Sequence, residues 1–259
     1  MTPRIATPYT RQNNKPNTCP NVFTNKKEMA VINWEHVLVP ISFLNDQLGL
    51  AANIEMAVMR YQNSQDHRHT LHAIEDGIME LLAETMRRVN GPVFIVSEYP
   101  TSYVELVSSL FFPRLTAALR SSTDGIYVVG TPNTQLSSGE LPLWKVNVLR
   151  TAIFEHLFAG ASREEAINLL KSAAPGSIKV LALCANFTDA AAVSAVHSIA
   201  PNATLQLQTV EHLLCSSFRG QLDLLLQYVK TNTGLLQRTP QRNPRRQSAR
   251  SMPRSKNRR

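Results

Sequence analysis

An α/β fold, a parallel sheet flanked by helices, is what the patterning of this chain predicts, and three observations carry the prediction. Short apolar runs of strand length, VFIVS at Val93–Ser97, GIYVVG at Gly125–Gly130 and IKVLALC at Ile178–Cys184, alternate with longer amphipathic stretches. The segment from Ile153 to Ala185 reads as a small-residue turn, a helix and a buried strand in that order, which is half of a parallel-sheet repeat. A length of 259 residues supplies enough chain for one large core plus tails.

Taken in order, Arg4, Arg11, Lys15, Lys26 and Lys27 with no acid before Glu28 mark residues 1–28 as an N-terminal arm expected to be disordered. The folded body is expected over residues 29–237. Asp66–Val89 has Leu71, Ile74, Ile78, Leu81, Leu82 and Met86 at helical spacing, and Asn90-Gly91-Pro92 ends it. Val93–Ser97 is a buried strand, Tyr103–Leu119 a helix, Gly125–Gly130 a strand and Pro142–Val148 an extended piece. The turn Ala159-Gly160-Ala161-Ser162 leads into a helix with Ala166, Ile167, Leu169 and Leu170 on one face, then into the strand Ile178–Cys184. A short helix at Ala190–Ile199, a strand at Thr204–Thr209 and an amphipathic helix at Ser217–Lys230 complete the body. Strands separated by helices predict a sheet covered on both faces, with ligands at the carboxyl ends of the strands.

Charge is partitioned. Nine of the 27 basic residues fall in residues 238–259, which contain no acid, so the remaining 18 face all 19 acids and the rest of the chain carries −1. That tail, with Arg238, Arg242, Arg245, Arg246, Arg250, Arg254, Lys256, Arg258 and Arg259, is too poor in apolar residues to fold alone. Basic runs of this kind bind phosphate backbones through counterion release, so RNA or another acidic partner is expected there. Ser248, after Arg245-Arg246-Gln247, has the setting of a phosphorylation site for kinases that prefer basic residues, and a phosphate would offset part of the charge. Nuclear entry is a competing reading of the tail.

Cys19, Cys184 and Cys215 have no metal-ligand spacing, and their odd number favours a reducing compartment; Cys184 reads as a small core hydrophobe. His67, His69 and His72 lack further ligands nearby, so no metal site is predicted and the group reads as a polar helix start. No run approaches the roughly 20 apolar residues of a membrane helix. An intracellular, cytoplasmic protein is expected, with a mitochondrial or nuclear location as the alternative and homo-oligomerisation left open.

Three segments in colinear order carry a family likeness: Asp76–Met86 (DGIMELLAETM), Ile126–Gly130 followed by Glu140-Leu141-Pro142-Leu143-Trp144, and Ala166–Ala185 (AINLLKSAAPGSIKVLALCA). With these, residues 36–212 resemble the uracil phosphoribosyltransferases, of the type I phosphoribosyltransferase fold. The resemblance implies that Ala159, Gly160, Ala161 and Ser162 stand where the family cradles a 5'-phosphate. Where it places an acid, this chain has Phe154 followed by Glu155. Where it places a pyrophosphate-binding arginine loop, the chain reads Tyr99-Pro100-Thr101-Ser102, and a second family arginine is replaced by Asn133. The transfer reaction builds negative charge on the departing pyrophosphate, and removing one contact to such charge costs about 2.7–4 kcal/mol. The expectation is therefore a non-catalytic member of that fold, a pseudoenzyme acting as a binding or scaffold module, with no cofactor. Two alternatives stand beside it. One is an active transferase making uridine monophosphate from uracil and phosphoribosyl pyrophosphate with Mg2+, through Glu155. The other is a structural component of a viral or organellar ribonucleoprotein particle.

Overall fold

The computed structural model describes residues 27–121, 125–132, 136–213, 215 and 217–232. Along the chain these form β1 (Lys27–Asn33), α1 (Ile41–Phe43), a π-helical turn (Leu44–Leu48), α2 (Ile54–Asn63), α3 (Gln65–Arg88), β2 (Val93–Pro100), α4 (Thr101–Phe111), α5 (Pro113–Arg120) and β3 (Ile126–Thr131). There follow α6 (Glu140–Ala152), a second π-helical turn (Ile153–Leu157), α7 (Arg163–Ser172), β4 (Ile178–Cys184), α8 (Phe187–Ser194), α9 (Val196–Ile199), β5 (Thr204–Thr209) and α10 (Phe218–Asn232). The five strands make one all-parallel sheet in the order β3-β2-β1-β4-β5.

Because side chains alternate across a strand, the continuous apolar runs divide between two cores. Ala30, Ile32, Val93, Ile95, Leu181 and Leu183 face one core, shared with Leu71, Ile78 and Leu81 of α3, Val104 of α4 and Leu225 of α10. Met29, Val31, Phe94, Val96, Val180, Ala182 and Cys184 face the other, shared with Trp144 and Val148 of α6, Leu170 of α7 and Val193 of α8. Cys184 is a fully buried core residue, as its setting predicted. Its thiol is pushed up to about 12 by burial and by the nearby Asp189 charge, which leaves it inert.

The sheet begins earlier than expected. Lys27 and Glu28, assigned from composition to the arm, belong to β1, the central strand, and pair with Ile178 and Lys179. No strand is expected from the sequence before Val93; the two charged residues that open β1 disguise it, although Glu28 to Asn33 are all buried. Close by, Gly91 lets β2 enter beside β1: a Cβ on it would lie 1.7 Å from the backbone oxygen of Glu28.

Two further corrections concern proline. The helix expected over Tyr103–Leu119 is two helices, because Pro113 cannot continue α4 and instead opens α5. The buried Glu75 carboxylate accepts the N–H groups of Arg114 (2.7 Å) and Leu115 (3.1 Å) and so caps the second helix. The segment Pro142–Val148 is helical within α6, not extended. Pro142 lies in the first turn, where the N–H it lacks has no intrahelical partner, and Trp144, Val148, Leu149 and Ala152 fall on one buried face.

Candidate functional site

The chain leaves β1 toward β2 and β3, then crosses back to β4 and β5, so the strand order reverses between β1 and β4. At such a reversal the connections leave in opposite directions and open a crevice at the carboxyl ends of the strands. A cluster of polar side chains, buried except for the exposed Glu98, occupies that place. It is built from Asn33 at the end of β1 and Glu35 after it, Ser97 and Glu98 toward the end of β2, Asp189 in the helix after β4, and Lys145 reaching over from α6.

Its geometry is closely tied together. Asn33 Nδ2 donates to Asp189 Oδ2 at 2.9 Å. Lys145 Nζ donates to Glu98 Oε1 at 2.6 Å and to Asp189 Oδ1, bridging two carboxylates. Asp189 is 2% exposed and Lys145 8%, so water supplies little of their solvation and each depends on the other. Asn186 places Asp189 by capping α8, its Oδ1 accepting the Asp189 N–H at 2.9 Å. Glu35 Oε1 accepts from the Ser97 hydroxyl and from the N–H groups of Glu98 (2.7 Å) and Tyr99 (3.3 Å). Its Oε2 is buried without a hydrogen-bond partner. Beneath Lys145 and Asp189 lies a cavity of about 20 Å³, bounded also by Val31, Asn33, Phe94 and Val96, with room for one water.

The electrostatics assign states to these groups. Burial alone would lower the Lys145 ammonium, yet its bonds to Asp189 and Glu98 hold it above the ordinary lysine value, so it stays charged. Burial raises Glu35 above the usual carboxylate range, opposed by its bonds to Ser97 and the backbone and aided by the Glu98 charge. Tyr99 is raised by burial first and then by the charges of Glu35 and Glu98, which places its hydroxyl within reach of both fields. A carboxamide at Asn33 offers neither a nucleophile nor a proton. Lys145, held protonated, is no nucleophile either. Burial drives the Glu35 carboxyl toward its protonated form. The π-helical turn Leu44–Leu48, downstream of β1, is a geometry frequent at functional sites.

The residues singled out from sequence lie elsewhere. Ala159, Gly160 and Ala161 border a groove of about 780 Å³ together with Lys27 and Ile178, the first residues of β1 and β4, and therefore sit at the amino edge of the sheet. A second groove of about 870 Å³ shares these three and adds Glu155, Arg150 and Arg163, so Glu155 and the turn do meet around one surface. Glu155 belongs to the π-helical turn Ile153–Leu157 that follows α6. Gly160 has φ +87°, a left-handed conformation that favours glycine. Ser162 caps α7 in a reciprocal box with Glu165: the Glu165 N–H donates to Ser162 Oγ (3.2 Å) and the Ser162 N–H to Glu165 Oε2 (2.7 Å). The helix thus satisfies its own first donors with its own side chains. Tyr99 to Ser102, the other phosphate-contacting loop implied by the resemblance, lies at the carboxyl end of β2, so the two loops occupy opposite edges of the sheet. The basic tail, Ser248 and Asn133 lie outside the described residues.

Nothing singled out Asn33, Glu35, Ser97, Lys145 or Asp189 from sequence. A signal existed in three of the runs: AVINWE, VFIVSE and VLALCANFTD each place polar residues directly after a buried strand, where open parallel sheets bind ligands. Lys145 had no such mark, being one lysine in a segment read as extended. Among the described residues no group of three or more His, Cys, Asp or Glu side chains converges in a way that would hold a metal ion, and no helix is long and apolar enough to cross a membrane. No family model, curated protein or solved structure matches the chain.

Proposed function

We propose that the folded body is a small-molecule binding module without phosphoribosyl-transfer activity, with its site in the polar crevice at the carboxyl ends of β1, β2 and β4, and that the basic residues 238–259 separately dock it on RNA or another acidic partner. The observation that carries the first part is the buried cluster around Lys145, Asp189 and Glu35. Burying ions costs several kcal/mol each before their attraction is counted, and apolar residues of the same size would serve folding at least as well. Such a cluster at a strand-order reversal is best explained by a ligand.

The absence of transferase chemistry is supported by the neutral amide at Asn33, the locked ammonium of Lys145 and the separation of the two phosphate-loop segments to opposite sheet edges. The tail's part rests on its nine bases and lack of acids. Calorimetric titration of the full chain with phosphoribosyl pyrophosphate and Mg2+, with a radiolabelled uracil assay beside it, is expected to give neither heat nor uridine monophosphate. Turnover abolished by Glu155→Ala would replace this reading with the active transferase. Deleting residues 238–259 is expected to weaken RNA binding and flatten its dependence on salt, and an unchanged affinity with the same slope would remove the nucleic-acid part.

A further inference from the structure

Resting on the nucleic-acid part of that reading, we infer that single-stranded RNA lies in the grooves at the amino edge of the sheet, its phosphates met by Arg150 and Arg163. The tail then extends a site that begins on the folded body. Topology brings both basic ends of the chain to this edge. Residues 1–26 contain Arg4, Arg11, Lys15 and Lys26 without an acid, and they join β1 at Lys27, its amino end. At the other end α10 closes at Asn232, whose carbonyl accepts from the Gln206 side chain, and Gln206 lies beside Glu28 and Lys179, again near the amino ends of β1 and β4. Four bases before Lys27 and nine after residue 237 make thirteen of the chain's 27, with no acid among them. Residues 27–232 hold the other 14 bases and all 19 acids, so a positively lined groove on the folded body is not what its average surface provides.

The space is there. The groove of about 870 Å³ shares Phe158 to Ala161 with the groove of about 780 Å³, and together they line a path from Arg150 to Lys27. One helix face supplies the first wall: Asn147, Arg150, Thr151 and Phe154 recur at helical spacing on the side of α6 away from the buried Trp144 and Val148. Arg163, the first residue of α7, lines the same space. Both arginines are exposed, and neither has an ion-pair or hydrogen-bond partner among the described residues. An unanswered guanidinium fork beside a groove matches the geometry of a phosphate. Glu155 is the one acid in the lining, and Glu165 turns its carboxylate back onto the Ser162 N–H. Phe154 is half-buried, which leaves ring surface on which a base can stack. Single strands are held in this way, by a basic track and aromatic rings, whereas a duplex keeps its bases stacked on each other.

The test uses the full-length chain, a short fluorescein-labelled oligouridylate and a duplex RNA of equal length, with affinity read by anisotropy across a salt series. Arg150→Gln combined with Arg163→Gln is expected to weaken the single strand about tenfold and to lower the slope of log affinity against log salt by about 1.4, the share of two phosphate contacts. Glu155→Gln, which removes the groove's carboxylate, is expected to tighten it. Arg68→Gln, at the exposed start of α3 and so far from the amino edge, is expected to leave it unchanged. A 4-thiouridine in the oligonucleotide is expected to cross-link within residues 147–163. Duplex RNA bound as tightly as the single strand, or Arg68→Gln costing as much as the groove pair, would overturn the groove and leave a general attraction of charge. Cross-links confined to residues 238–259, with the paired variant binding as before, would overturn it while leaving the tail as the docking element. If neither the paired variant nor removal of residues 238–259 changes affinity, this inference and the nucleic-acid part of the function fall together.

Discussion

The turn before α7, near the amino edge of the sheet, and the cluster at the carboxyl edge satisfy their polar groups in opposite ways. At the turn each demand is met locally. Ser162 and Glu165, three residues apart, cap one helix between them, and a left-handed Gly160 makes the turn before it. At the carboxyl edge the demands are met across the chain: Asn33 and Asp189 are 156 residues apart, Lys145 and Glu98 are 47, Ser97 and Glu35 are 62. Local solutions contribute to one element. Distant ones depend on the finished fold and, when they bury charge, weigh against stability unless they serve something else.

The comparison is most severely tested at Lys145. Lys145→Met leaves Asp189 buried and charged with only an amide for company, and is expected to cost about 3–5 kcal/mol in chemical denaturation. Adding Asp189→Leu is expected to recover part of that loss, since the burden is the uncompensated charge. If the double variant is as unstable as the single one, the cluster holds the fold together and the contrast drawn here is wrong.

Glu35 gives the next effect, visible in pH. Its folded state holds the proton more tightly than the unfolded chain does, so its contribution to stability is whole below the ordinary carboxylate value of 4.5 and declines as pH rises through the elevated folded value. In Glu35→Gln that declining limb is expected to vanish from the plot of unfolding free energy against pH. A parallel pair of curves would place the titration elsewhere.

The smallest effect belongs to the amino edge. Ser162→Ala removes one half of the capping box and is expected to cost about 1 kcal/mol by thermal unfolding, with no change at the carboxyl-edge amides. A change there would mean that the two edges communicate.

How much was legible follows the same division. The strand Ile178–Cys184 is legible to the residue, since an apolar run bounded by turn signals reports burial directly, and so is Thr204–Thr209, whose leucines alternate with polar residues on a half-exposed edge strand. The helix Gln65–Arg88 was displaced by one residue at each end, its Ser64 cap overlooked. The extended reading of Pro142–Val148 fails because Pro142 stands in the first turn of α6, where a helix tolerates proline. The candidate site was less legible: Ala159–Ser162 is a compact motif in one stretch of chain, while the polar cluster is scattered over four separate stretches, each unremarkable alone.

The sequence by itself determined the class of fold, most of its strands and helices, and the confinement of excess positive charge to residues 238–259, because periodicity and charge are properties of neighbours along the chain. Only the tertiary structure decided which polar residues meet. The order β3-β2-β1-β4-β5 puts the ends of β1, β2 and β4 side by side, and the packing of α6 over them brings one lysine between two carboxylates. Coulomb and hydrogen-bond energies depend on separation in space, which no spacing along the chain records.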